Sequence, residues 1–250
     1  MQTYYDSLCV KTYDSREEMG AAAAKDAAAC LKKLLEEKEE VSCMFAAAPS
    51  QNEFLEALLK EPGINWQRVH AFHMDEYCGL TQESEGTFSR FLCSAIFHKK
   101  PFCSVNLING EKDFEKECVR YEALLQKYPV DIVFMGIGEN GHIAFNDPPV
   151  ADFQDKAVIK KVELDEKCRR QQVNDGCFPS LEQVPAYALT VTVPGLMKAK
   201  YHFCIVPGSR KAEAVRDTLT GPVAESCPAS ILRLQPRACL YLDRESASLL

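Results

Sequence analysis

The chain has 250 residues, of which 46% are hydrophobic, and its formal net charge is -7 at pH 7. A chain of this length can bury one substantial core, so we predict a single domain over residues 1–250. The acidic balance argues against nucleic acid or an anionic membrane surface as a partner, because no surplus of basic residues exists to bind them. A small anionic ligand held by a few local cations remains compatible with this charge.

The cysteines and the N-terminus bear on the cellular compartment. The twelve cysteines are spread from Cys9 to Cys239 without a C-x-x-C pair, and most lie in apolar surroundings. This usage is typical of free thiols in a reducing compartment. The first ten residues lack the basic and apolar regions of a signal peptide, and no apolar run approaches the ~18 residues of a membrane span. We therefore expect a cytoplasmic protein.

Helix-period and strand-like segments alternate along the chain. Ser15 and Glu18 form a capping-box pattern in a predicted helix over Asp14 to Glu40. The segments that follow are VSCMFAAA (strand), NEFLEALLK (helix), RVHAFHM (strand), GTFSRFLCSAIF (helix), SVNLI (strand), DFEKECVRYEALLQKY (helix), DIVFMGI, YALTVTV and YHFCIV (strands), SRKAEAVRDTL (helix) and ACLYL (strand). This alternation predicts an α/β fold with a largely parallel sheet and helices on both faces. The least regular stretch, residues 147–185, is predicted to be a mobile flap.

The stretch that begins DIVFMGIGENGH matches a dinucleotide-binding fingerprint in its glycines. Gly136, Gly138 and Gly141 satisfy G-x-G-x-x-G directly after an apolar run. A dinucleotide site needs an uninterrupted helix after the last glycine, whereas Pro148 and Pro149 end any helix within about two turns. We therefore reject a dinucleotide site and interpret the glycines as a turn.

That turn carries a dense set of polar side chains around one histidine. His142 is surrounded in sequence by Glu139, Asn140, Asn146 and Asp147. A carboxylate or amide next to an imidazole orients the ring and tunes its pKa, so such a group can shuttle a proton. We interpret the turn as a proton-handling site.

Three further strand ends carry polar residues, at the edge where parallel sheets bind ligands. After VSCMFAA, Ala48, Ser50 and Gln51 form a strand-to-helix turn that could hold an anion or could be a simple serine cap. After RVHAF, Asp75 and Glu76 are adjacent, so at most one of them faces a ligand. A partly desolvated carboxylate there could act as a general base, with an exposed turn as the alternative.

The last of these strand ends carries positive charge. Ser209 and Lys211, in PGSRKA, offer hydrogen-bond donors and a cation at a helix start in an otherwise acidic protein. Phosphate binding and a solvated basic pair are both compatible with this pattern.

Together these segments resemble the glucosamine-6-phosphate deaminase (isomerase) family. FHMDEYCGL, GIGENGHIAFNDP, QVPAYALTV and PGSRKA occur in the family's order and approximate spacing over most of the chain, and the first two are the most specific. The resemblance implies a Rossmann-like α/β fold without a nucleotide. It implies conversion of glucosamine 6-phosphate and water to fructose 6-phosphate and ammonia, without a metal or an organic cofactor.

The resemblance also implies roles for single residues. Asp75 matches the aspartate that moves a proton between C2 and C1 of the opened sugar, and His142 matches the histidine that opens the ring. Lys211 matches the lysine that holds the phosphate, and the Ala48, Ser50 and Gln51 turn lies where the family has its phosphate loop. The other predicted substrate contacts are Glu76, Gly138, Gly141, Arg170 and Ser209.

The sequence departs from the family pattern at the histidine turn. Asn140 stands where the family has aspartate, and Asp147 stands where it has glutamate. Asparagine can orient an imidazole but cannot stabilise an imidazolium. Either Asp147 or Glu139 supplies the missing charge, or ring opening is weaker here.

Two further departures concern substrate binding. AAAPSQ replaces the family's Gly-Gly-Thr turn, and the family's flap arginine has no clean counterpart, so that Arg169 and Arg170 are both candidates. The Asn140 and AAAPSQ departures leave galactosamine 6-phosphate, the C4 epimer, as an alternative substrate, and the Asn140 change leaves a non-catalytic amino-sugar-phosphate-binding protein as an alternative function. A sugar-phosphate lactonase fits less well, because the MDEY carboxylates are a feature of deaminases. Homo-oligomers are common in the family, so we also expect one here.

Overall fold

The computed structural model describes residues 1–111 and 113–250 of the chain. The strands are β1 (Gln2–Tyr5), β2 (Leu8–Thr12), β3 (Val41–Phe45), β4 (Val69–His73), β5 (Asp75–Tyr77), β6 (Ser104–Asn106), β7 (Ile132–Met135), β8 (Ile159–Glu163), β9 (Tyr187–Val191), β10 (Tyr201–Val206) and β11 (Ala238–Leu242). The α-helices are α1 (Arg16–Glu37), α2 (Asn52–Lys60), α3 (Phe88–Leu92), α4 (Phe114–Lys127), α5 (Glu166–Asn174), α6 (Val193–Met197) and α7 (Ala212–Thr220). Within these ranges no helix is both long enough and apolar enough to cross a membrane.

Eight strands form one sheet in the order β1-β2-β11-β10-β7-β3-β4-β6. Every neighbouring pair is parallel except β1 and β2, which form an antiparallel hairpin at one edge. The predicted α/β class with a largely parallel sheet is confirmed. The chain runs outward from β3 through β4 to β6 and then returns to β7 on the other side of β3. Ligands bind at the carboxyl ends of strands where the order reverses in this way.

The central strands are buried on both faces. Along β3, Cys43 and Phe45 belong to one core cluster, whereas Met44 between them belongs to the other. Side chains of a strand alternate between the two faces of the sheet, so each strand contributes to both clusters. Helices α1 and α2 supply buried side chains to the first cluster, and α4 and α7 supply them to the second. The predicted helices on both faces are therefore confirmed.

A second, antiparallel sheet covers the carboxyl end of the first. It has the order β5-β9-β8. The predicted strand YALTVTV belongs to this small sheet and not to the parallel one. The sequence prediction lacks three features, which are β5, β8 and the β1–β2 hairpin. These strands are short or carry exposed polar residues, so they have no apolar run that marks them. Their pairing partners define them instead.

Residues 147–185, the predicted flap, contain regular structure. Strand β8 pairs with β9 along its whole length, and Asp165 caps the start of α5 by accepting a hydrogen bond from the backbone N–H of Lys167. The mobility of this segment stays a prediction. The twelve cysteines all lie in the described part of the chain and are all free thiols, as their spacing indicated.

Candidate active site

The four polar segments identified in the sequence follow four adjacent strands of the parallel sheet. These strands are β10, β7, β3 and β4, in that order across the sheet. The segments meet in a cleft beside the reversal point between β3 and β7, with an empty volume of about 520 Å³ including its open mouth. A concave site with an apolar lining and a few convergent polar groups is typical of small-molecule sites.

Seven of the predicted site residues line this cleft. They are Ala48, Ser50, Gln51, Asp75, Gly138, His142 and Lys211. Asn140 and Asp147 lie behind the histidine, while Gly141 shapes its turn at a φ of +83°. Glu76, Arg170 and Ser209 do not line the cleft.

His142 is held from one side and free on the other. Its Nδ1 lies 2.7 Å from Asn140 Oδ1 and 2.9 Å from Asp147 Oδ1. Its Nε2 has no hydrogen-bond partner among residues 1–111 and 113–250, although the ring lines the cleft. A ring anchored at Nδ1 by a carboxylate presents Nε2 for proton transfer.

The glycine at position 138 is required by the position of that ring. A Cβ atom at Gly138 would lie 2.1 Å from Cε1 of His142. Real Cβ atoms do not approach other heavy atoms so closely, so any side chain here would displace the imidazole. The backbone N–H of Gly138 also donates to the carbonyl of His142, which closes the turn. The glycine of the apparent nucleotide fingerprint therefore makes room for the histidine.

Asp147 supplies the negative charge that Asn140 lacks. Burial acts to raise the pKa of the Asp147 carboxyl, but the His142 charge and hydrogen bonds from His142, Asn140 and Cys168 outweigh it and lower this pKa. Asn140 donates from Nδ2 to the same Oδ1 that contacts the imidazole. Glu139 instead faces Arg210, at 3.8 Å. Of the two candidates, the carboxylate of Asp147 is the one beside the ring.

The adjacent carboxylates Asp75 and Glu76 face opposite sides of β5. Asp75 lines the cleft, and its carboxylate accepts no hydrogen bond from the described residues. Burial, and then the neighbouring charge of Glu76, raise the pKa of Asp75 well above its usual value. A carboxylate with a raised pKa can both accept and return a proton near neutral pH.

The carboxylate of Glu76 is held by backbone N–H groups and does not face the cleft. Its Oε1 accepts the backbone N–H groups of Tyr77 and Phe88, and its Oε2 accepts that of Ser89 at 2.8 Å. These bonds satisfy the free N–H groups at the start of α3. They occupy the carboxylate away from the cleft, so the structure does not bring Glu76 to the position of a substrate ligand.

Lys211 forms the cationic end of the cleft. Its ammonium group is buried and has no ion-pair or hydrogen-bond partner among the described residues. Burial lowers the pKa of Lys211, against the opposing charges of Asp175 and Glu139. A buried cation without a partner is costly in the free protein and is well suited to an anionic ligand. Ser209, two residues earlier, is exposed.

The turn after β3 forms another part of the cleft wall. Gln51 donates from Nε2 to the carbonyl of Ile205 at 3.1 Å and to Ser50 Oγ at 3.3 Å. Its Oε1 has no partner in the described part of the chain. Gln51 therefore ties this turn to β10. Gln51, Ser50 and Ala48 all lie on the wall of the cleft.

Neither flap arginine reaches the cleft. Arg170 is exposed and pairs with Glu166, and Arg169 donates to the carbonyls of Leu181 and Val184. Two flap residues on the cleft wall, Gln171 and Gln172, are absent from the sequence prediction, and the side-chain amide of Gln172 makes no hydrogen bond with the described residues. Both lie on the buried face of α5, whereas the prediction considered only the cations of this segment.

The flap is tied to the histidine turn. Gln171 accepts the backbone N–H of Glu139 at 2.8 Å and lies against Asp175, which pairs with Arg210 at 3.2 Å. These contacts join α5, the turn after β7 and the turn after β10 around one side of the cleft. Gln172, next to Gln171 in α5, lines the same cleft as Lys211 and His142.

Comparisons with known protein sequences agree with this geometry. The sequence profile of the glucosamine-6-phosphate isomerases/6-phosphogluconolactonase family matches residues 14–240. A glucosamine-6-phosphate deaminase of Listeria innocua serovar 6a is 36% identical over 212 residues, which are 84% of this chain and 88% of the relative. A glucosamine-6-phosphate deaminase of Bacillus thuringiensis (strain Al Hakam) is 38% identical over 194 residues, which are 77% of this chain and 72% of the relative.

Solved structures give the same picture. A structure described as a monomeric glucosamine-6-phosphate deaminase has a TM-score of 0.87 and 31% identity, and the match covers 96% of this chain and 99% of that one. A 6-phosphogluconolactonase from Thermotoga maritima has a TM-score of 0.77 and 18% identity, covering 94% and 99%. The second likeness concerns the fold alone.

Proposed function

Since the chain belongs to the glucosamine-6-phosphate isomerase/6-phosphogluconolactonase family, we propose that it is an isomerase and deaminase that converts glucosamine 6-phosphate and water to fructose 6-phosphate and ammonia. The observation that carries this proposal is the joint presence in one cleft of an unpaired buried carboxylate, a free imidazole Nε2 and an unpaired buried ammonium, on Asp75, His142 and Lys211.

The phosphate sets the orientation of the substrate. Lys211 binds it by charge, and the turn containing Ala48, Ser50 and Gln51, which lines the same cleft, supplies N–H and hydroxyl donors. The substrate charge offsets the cost of burying the ammonium group, so binding energy is concentrated at this end. The sugar ring then lies toward His142 and Asp75, and Gly138 allows the imidazole its position.

Ring opening and proton transfer use two different groups. Protonated His142 donates from Nε2 to the ring oxygen, while Asp147 stabilises the imidazolium at Nδ1 and Asn140 orients it. Asp75 removes the C2 proton from the opened sugar while the C1 oxygen takes a proton from solvent, which gives an enolamine. Asp75 then returns its proton to C1 as the amino group releases one to solvent, and this leaves an imine at C2. Water adds to that carbon, the carbon–nitrogen bond breaks, and ammonia leaves. No step of this sequence requires a metal or an organic cofactor.

The first test is a direct assay of product. Purified protein with glucosamine 6-phosphate is expected to release ammonia and fructose 6-phosphate in equal amounts. The Asp75→Asn variant is expected to bind the sugar phosphate but to lose exchange of the C2 proton with solvent. Binding without turnover by the native protein would contradict the catalytic proposal.

Galactosamine 6-phosphate, the C4 epimer, is the second candidate substrate, because AAAPSQ replaces the family's Gly-Gly-Thr turn. The side chain of Gln172 on the cleft wall is free to contact a sugar hydroxyl. The ratio of kcat/KM for the two epimers separates them, and we expect the Gln172→Ala variant to change that ratio more than it changes ammonia release from the preferred epimer. A ratio that does not move would remove Gln172 from substrate recognition.

The non-catalytic alternative rests on Asn140 alone. Asp147, at 2.9 Å from Nδ1, supports catalysis without an acid at position 140. If the native protein were a binding protein, the Asn140→Asp variant would gain ammonia release that the native chain lacks. We expect instead that the native chain is active.

A cytoplasmic location and a homo-oligomer remain part of the proposal, and light scattering in solution tests the oligomeric state.

A further inference from the structure

We propose that Glu40, His70 and Cys103 form a binding site for a zinc-type divalent metal ion at the amino-terminal edge of the parallel sheet. Glu40 directly precedes β3, His70 lies in β4 and Cys103 directly precedes β6. These three strands are adjacent and parallel, and the register pairs His70 with Ser104. The sheet therefore brings the three residues together at the end opposite the candidate active site.

The three side chains already have nearly the spacing of metal ligands. His70 Nε2 lies 2.9 Å from Glu40 Oε2, and Cys103 Sγ lies 3.6 Å from Glu40 Oε1. All the donor atoms lie within 4.8 Å of one another. With zinc–ligand bonds of about 2.0 to 2.3 Å, the ligand atoms of a tetrahedral site lie about 3.3 to 3.6 Å apart. A metal ion would need shifts of only a few tenths of an ångström on the Glu40–His70 side.

The imidazole is oriented by contacts outside the cluster. His70 is buried, its Nδ1 lies 2.7 Å from Ser104 Oγ, and its ring stacks on Tyr128 at 4.0 Å. Ser104 Oγ also accepts a hydrogen bond from Asn106 at 2.8 Å. A histidine that ligates a metal through one nitrogen usually donates its other N–H to such a partner, which holds the ring in place. The Nε2 atom is thereby directed to Glu40 and Cys103.

The charges of the ligand set match a divalent cation. The set has one thiol, one imidazole and one carboxylate within reach of a single ion. On binding, the thiol proton is released to solvent and the imidazole keeps its proton on Nδ1, where Ser104 accepts it. The thiolate and the carboxylate then neutralise the ion. One thiolate, one imidazole and one carboxylate suit zinc, and water can fill the fourth position because Glu40 and Cys103 are exposed.

A second group of three such side chains occurs in the protein. His142, Asp147 and Cys168 also lie within 4.8 Å of one another, but they belong to the candidate active site, where Asp147 already pairs with His142. The experiment must therefore distinguish the two thiols, Cys103 and Cys168.

The probe is Co²⁺, which substitutes for zinc and shows a sulfur-to-metal charge-transfer absorption when a thiolate binds it. The native protein, reduced with a phosphine that does not bind metals, is titrated with Co²⁺ and then with Zn²⁺. We expect one equivalent of Co²⁺ to give this absorption and Zn²⁺ to abolish it. The Cys103→Ser variant should lose the absorption, Glu40→Gln should raise the Kd, and Cys168→Ser should behave as the native protein.

Three results would overturn the proposal. They are a native protein without the absorption, a Cys103→Ser variant that keeps it, and a Cys168→Ser variant that loses it. Glu40 and Cys103 are exposed, so their substitution should leave the fold intact, and circular dichroism checks this. Because the site is at the far edge of the sheet, ammonia release by the Cys103→Ser variant should equal that of the native protein. Zn²⁺ should raise the Tm of the native protein and not that of this variant.

Discussion

The Asp147→Asn substitution tests the charge behind the histidine. The carboxylate lies 2.9 Å from His142 Nδ1 and is fully buried. At that distance and an effective dielectric constant of about 20, an imidazolium and a carboxylate attract by about 6 kcal/mol. The variant keeps a hydrogen-bonding amide, so we expect about 4 to 5.5 kcal/mol of this to be lost. This corresponds to a fall in kcat of about 10³- to 10⁴-fold.

The assay follows ammonia release at saturating glucosamine 6-phosphate, with KM expected to change little because Asp147 does not line the cleft. The matched control is Asp155→Asn, which removes another flap carboxylate, paired with Lys160 at 2.7 Å. Equal losses in the two variants, or a loss below about tenfold in Asp147→Asn, would refute the reasoning.

The Asp147→Asn substitution should also change how the free energy of unfolding depends on pH. The pKa of Asp147 is lowered in the folded state, so its ionised form stabilises the fold at neutral pH. This contribution is present above the unfolded pKa of about 3.9 and is lost as pH falls through the lower folded value. The difference in free energy of unfolding between native protein and variant should therefore shrink below that pH.

Three other substitutions are informative. Lys211→Met should raise KM about 10- to 100-fold, because it removes the phosphate contact. It should also raise the free energy of unfolding at pH 7, because burial lowers the pKa of this lysine in the folded state. Arg210→Met is the control. Gly138→Ala should lower kcat about 100-fold by displacing the imidazole. The control Gly176→Ala has open space around it but a φ of +76°, so it should cost stability through backbone strain without displacing the imidazole. Asp75→Asn should abolish C2 proton exchange and stabilise the protein at pH 7, because the pKa of Asp75 is raised in the folded state. For the same reason, kcat/KM of the native enzyme should rise with pH above the usual range of a carboxyl group.

The fold class and the four segments that form the cleft could be predicted from the sequence. Both depend on signals within short windows: apolar runs of strand length, helical periodicity, and polar residues directly after an apolar run. The carboxyl ends of parallel strands share one edge of a sheet, so Asp75, His142 and Lys211 could be expected to meet before their strand order was known.

Tertiary contacts are needed to tell which of the neighbouring polar side chains act together. They direct Asp147 and not Glu139 to the imidazole, turn Glu76 to the start of α3, and set Gln172 in the cleft while Arg170 faces solvent. Each choice depends on a side-chain direction fixed by strand register and by packing between segments distant in sequence. A sequence window contains neither, because a shift of one residue reverses every direction along a strand.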